Sequence, residues 1–88
     1  MRRRGSAACG RAFNGATILS VDAERHDRAE QTHNEAASRH DDAAKFWRSR
    51  GDAERADLEE RNAQIERDAA DLERERARLA RRDGEVPP

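Results

Sequence analysis

His26, Glu30 and His33 are spaced four and then three residues apart, which places all three on one face if the segment is helical. Glu30-Gln31-Thr32-His33 is an E-x-x-H pair, the spacing by which helical di-iron sites bring a carboxylate and an imidazole to one metal. His26 and His33 lie about 10.5 Å apart along such a helix, too far to chelate unaided. A complete site therefore needs Glu66 or Glu73 to swing in from a facing helix. Imidazole with carboxylate suits Zn²⁺ or Ni²⁺, held adventitiously or between chains, better than a redox centre. The competing reading is that the histidines are half-buried and hydrogen-bonded, or simply face solvent.

Other chemistry finds little support. Ser38 and Ser49 have histidines nearby in sequence, but one helix surface offers neither oxyanion donors nor a closed pocket. No glycine-rich phosphate loop is present in the sequence, so no enzymatic activity is expected. Cys9 is the single cysteine, which excludes an internal disulfide and a multi-cysteine zinc site and fits a reducing, cytoplasmic location.

The elements that would position these residues are helices. Ser20 and Asp22 are good N-caps, Asp22 and Glu24 complement the helix dipole, and no proline occurs before Pro87. Arg48 and Arg50 suit a helix C-terminus, Gly51 suits the left-handed position that follows it, and Asp52 can cap a second helix. The expected organisation is helix 21–50, a turn at 51–52, helix 52–83 and a tail at 84–88. Each helix would run about 45 Å.

Residues 1–20 read as a disordered basic arm. Arg2, Arg3, Arg4 and Arg11 without an acid make it +4, against −5 for the remainder and −1 overall. Gly5, Gly10, Asn14 and Gly15 interrupt any helical pattern. The stretch from Gly5 to Arg11 is too polar for a secretion signal, and four charges without aromatic partners make a weak nucleic-acid footprint. A third reading treats Val21 as the start of translation in a GC-rich gene; an intact mass beginning at Met1 would exclude it.

Charged residues make up 42% of the chain, with Lys+Arg 18 nearly cancelling Asp+Glu 19. That balance marks solvated helices and not a single-sign binder of nucleic acid or acidic partners. No apolar run reaches membrane-spanning length, so no membrane partner is expected. Between Asp22 and Arg82 the large apolar side chains are Phe46, Trp47, Leu58, Ile65, Leu72 and Leu79. They are few to set against the entropy of ordering two long helices, so a lone hairpin is expected to be marginal.

Four of them, Leu58, Ile65, Leu72 and Leu79, recur every seven residues with Asn62, Ala69 and Arg76 between them, as in a diluted coiled-coil seam. Ala56, Ala63, Ala70 and Ala77 repeat at the same interval along the flank and permit close approach of a second helix. Helix one carries His26, His33, His40 and Trp47 at sevens. Folding at Gly51 is expected to set Ala44 near Leu58, Ala37 near Ile65, Glu30 near Leu72 and Ala23 near Leu79. It would also set His40 near Asn62, His33 near Ala69 and His26 near Arg76. Phe46 and Trp47 would plug the closed end or, alternatively, anchor a partner. Asp57/Arg61 and Arg67/Asp71 are expected to pair at i,i+4 on a solvated face.

Around the turn, Ala44, Trp47, Gly51-Asp52, Ala56 and Ala63 stand where a tetratricopeptide repeat places its small residue, aromatic, turn and helix-B alanines. Residues 43–63 thus resemble the hairpin turn of that family, departing from its pattern at His40, Glu60 and Asp68. The resemblance implies an antiparallel hairpin that binds peptides or other helices.

Together these readings predict an all-α chain, an antiparallel coiled-coil-like two-helix hairpin that completes a bundle by self-association. The expected function is a non-enzymatic interaction module without a cofactor, binding itself as an antiparallel dimer or a helix of another protein. Its expected interface comprises Phe46, Trp47, Leu58, Ile65, Leu72, Leu79, Ala37 and Ala44. The alternative is a small metal-binding protein using His26, Glu30 and His33.

Overall fold

The computed structural model describes residues 15–85, and the arginines and Cys9 of the first 14 residues lie outside that range. Two helices, α1 (Gly15–Ser49) and α2 (Ala53–Glu85), pack against each other as an antiparallel hairpin. The fold is all-α, as the periodicity predicts.

α1 reaches six residues further back than expected, so residues 15–20 belong to it. Once a helix is nucleated, each added residue gains a backbone hydrogen bond. Gly15 therefore marks the start of α1 and not the end of an unstructured arm. Asp22, predicted to cap, lies inside the helix and pairs with Arg25 at 3.0 Å.

The turn forms at the expected place, for local reasons. Gly51 has φ 76°, a left-handed conformation that costs an L side chain about 1–2 kcal/mol. The Asp52 amide donates to the Trp47 carbonyl at 3.0 Å and the Gly51 amide to the Arg48 carbonyl at 3.1 Å. This pair of bonds is a Schellman ending, which satisfies the last carbonyls of α1. Asp52 then caps α2: its Oδ1 accepts from the Arg55 amide at 3.0 Å, while its carbonyl accepts from the Ala56 amide at 3.1 Å. Phe46 and Trp47 meet edge to face at 5.0 Å beside this turn, with Arg50 over the Phe46 ring and Arg55 over the Trp47 ring. Trp47 is half-buried and Phe46 exposed.

The core is made of alanine. Ala23, Ala37 and Ala44 of α1 and Ala56, Ala63, Ala70 and Ala77 of α2 are all buried. Side chains this small let two helices approach near the close end of the usual 8–10 Å range. Leu58, Ile65 and Leu72, predicted to face inward, are more than half exposed, and Leu79 is exposed as well. Ala56, Ala63, Ala70 and Ala77 of α2 thus take the place against α1 that the expected leucine–alanine layers gave to Leu58, Ile65, Leu72 and Leu79. α2 is rotated so that its alanine line, and not its leucine line, meets α1. The polar residues on either side of the alanines explain this rotation.

Candidate functional site

On one side of the alanine seam stands a ladder of three histidine–glutamate pairs. His26 with Glu73, His33 with Glu66 and His40 with Glu59 each have Nδ1 and Oε1 2.6 Å apart. Ionised carboxylates only accept, so each Nδ1–H donates. The histidines descend α1 every seven residues while the glutamates ascend α2 at the same interval, so one antiparallel register satisfies all three rungs. The side chains are roughly two-thirds buried or more. Bonding to His26, aided by Arg76, holds the Glu73 carboxyl below the usual carboxylate range.

These rungs replace the expected neighbours Asn62, Ala69 and Arg76. A signal for them was present in the sequence. Asp52, Glu59, Glu66 and Glu73 form an acidic heptad line, and read backwards from the turn it matches Trp47, His40, His33 and His26 position by position.

The opposite side of the seam is lined by arginine–carboxylate pairs: Arg81 with Asp27, Arg67 with Asp41, and Arg48 with Glu60 at 2.6 Å. Arg48 also lies 3.6 Å from Asp57. Asp57 and Arg67, expected to pair along α2, are thus drawn across to α1. Arg74 donates from Nε to Glu30 at 3.0 Å, and this bond raises the arginine's pKa. Turning the leucines inward would break both lines of pairs at once, leaving half-buried charges unanswered.

The structure gives the three candidate metal ligands three different partners: His26 takes Glu73, His33 takes Glu66 and Glu30 takes Arg74. Glu66 and Glu73 do cross to the histidines, one to each. Among the described residues no three His, Cys, Asp or Glu side chains group as metal ligands.

The expected interface residues separate into two sets. Ala37 and Ala44, each 3% exposed, belong to the hairpin's own seam and are not available to a partner. Leu58 (55%), Ile65 (63%), Leu72 (52%) and Leu79 (38%) line the outer edge of α2. They lie on nearly the opposite side of that helix from its buried alanines, because two residues along the chain turn a helix by about 200°. Phe46, 47% exposed, occupies the corresponding outer position on α1 near the turn.

The chain matches no protein-family model, no curated protein and no solved structure. No helix among the described residues is long and apolar enough to cross a membrane.

Proposed function

We propose that this chain is a non-enzymatic interaction module whose docking surface is the outer edge of α2. The observation that carries the reading is the exposure of Leu58, Ile65, Leu72 and Leu79 at strict heptad spacing on a helix whose inner face is already closed by alanine. A helix bounded only by water gains nothing from a leucine line, whereas burying each of these side chains against another helix contributes about 2 kcal/mol. Heptad spacing fits a helical ligand. The turn would border one end of the contact, while Phe46, on the outer side of α1, stands on the opposite face of the hairpin.

Replacing Ile65 and Leu72 together with glutamine tests the reading. The expected result is unchanged helicity and an unchanged urea midpoint in dilute solution, because neither side chain belongs to the alanine seam. Unfolding of the dilute variant would mean that the stripe is part of the hairpin's own core, and would overturn the proposal. Calorimetric titration with Zn²⁺ separates this reading from a metal-binding one: specific heat in the parent protein that disappears in His33→Ala would favour metal.

A further inference from the structure

On the premise that the leucine stripe docks a helix, the charges beside it specify which helix. The flank of the stripe away from the histidines carries Glu54, Arg61, Asp68, Glu75 and Arg82 at heptad spacing, all exposed. Glu54 and Arg61 take no part in the ion pairs among the described residues, whereas Glu75 pairs with Arg78 and Arg82 with Asp83 along the same helix, at exposed positions. This order of signs complements its own reverse. We propose that the stripe is covered by α2 of a second copy of this chain, antiparallel, about a two-fold axis close to Arg67.

In that register Arg61 meets Glu75 of the second copy and Glu54 meets Arg82 of the second copy, and the two-fold repeats both contacts. Asp68, next to the axis, meets its own counterpart and is the one unfavourable contact on this flank. The apolar layers fit as well. Ile65 falls against Ala69, Leu72 against Asn62, and Leu58 against the aliphatic stem of Arg76.

Neighbouring arrangements are worse. A slip of one heptad sets Arg61 against Arg82 and Asp68 against Glu75, and the opposite slip leaves Leu79 without a partner. Parallel pairing sets Arg76 against its own counterpart in the seam. Flanking charges of this kind choose orientation and register in paired helices. On the other flank Glu66 meets its own counterpart and Glu59 meets Glu73 of the second copy, and these carboxylates already hold the three imidazoles within their own hairpin.

Sedimentation equilibrium of the full chain over a wide concentration range tests the proposal, with circular dichroism confirming that each variant is folded. The parent is expected to dimerise, and Arg61→Glu to weaken the dimer about tenfold because two contacts turn repulsive. Adding Glu75→Arg to Arg61→Glu restores the charge match and is expected to bring the dimer back to near-parent affinity. Arg61→Ala, which removes the attraction without adding repulsion, is expected to fall between. A parent that stays monomeric at millimolar concentration, or a charge exchange that fails to rescue, overturns the second copy as occupant. The docking surface itself fails on a different result, the unfolding of the Ile65/Leu72 glutamine variant in dilute solution.

Discussion

α2 carries two apolar lines of identical period, and they have opposite fates. Ala56, Ala63, Ala70 and Ala77 are at most 1% exposed, while Leu58, Ile65, Leu72 and Leu79 range from 38% to 63%. The larger side chains would bury more area, yet the smaller ones hold the hairpin. The difference shows that rotation of a helix within a hairpin is set by the whole ring of residues around the contact, not by its bulkiest members. With alanine at the centre, His26, His33 and His40 reach glutamates on one side, and Asp27, Asp41 and Arg48 reach opposite charges on the other.

The contrast is broken most severely by enlarging the inner line. Ala63→Leu forces the helices apart and is expected to cost about 3 kcal/mol, read as a lowered urea midpoint by circular dichroism. Gly51→Ala comes next, at about 1–2 kcal/mol. No atom lies within 4 Å of the added methyl, so that loss is backbone strain alone, and a d-alanine at position 51 in synthetic protein should remove it.

Acid is expected to act through Asp52 and Glu73. The Arg55 amide holds the Asp52 carboxyl below its ordinary value, as His26 does for Glu73. A carboxyl whose pKa is depressed by folding stabilises the fold above its unfolded pKa, and that contribution is lost as pH falls through the folded one. Stability should therefore decline below the ordinary carboxylate range, and Asp52→Asn combined with Glu73→Gln should flatten that decline in melts recorded at successive pH values.

A double-mutant cycle on His33→Ala and Glu66→Ala is expected to show a coupling of about 0.5 kcal/mol, since the pair keeps some contact with water. The smallest effect belongs to the outer line. Ile65→Ser in dilute solution should lower the unfolding free energy, read from urea melts, by no more than about 0.5 kcal/mol. A loss there as large as that of Ala63→Leu would mean that the two lines are not as different as the structure makes them.

Much of this was legible in the sequence wherever the cause is local. The Gly51 ending, the Asp52 cap and the two helices follow from a few adjacent residues. The alanine heptad was visible too, as a line permitting close approach. Its role as the contact was not, because alanine and leucine lines share a period and periodicity alone cannot say which of them faces the partner helix. Bulk alone favours the leucines. The rungs joining His40 to Glu59 and His33 to Glu66 depend on a register that only both helices together define. The start at Gly15 is not legible, because a glycine within a helical pattern reads as a breaker while at the helix's first residue it is tolerated.

Asp52 closes α1 through its amide and opens α2 through its carboxylate and carbonyl, and this shared residue gives assembly a direction. The three rungs span 19, 33 and 47 residues of chain, and the entropy of closing a loop rises with its length. With the bend in place, His40 and Glu59 close the shortest loop, and each rung formed brings the next within reach. The hairpin thus zips from the bend toward its open end, and in reverse its amides should exchange with solvent earliest around Ala23 and Ala77 and latest beside Ala44 and Ala56.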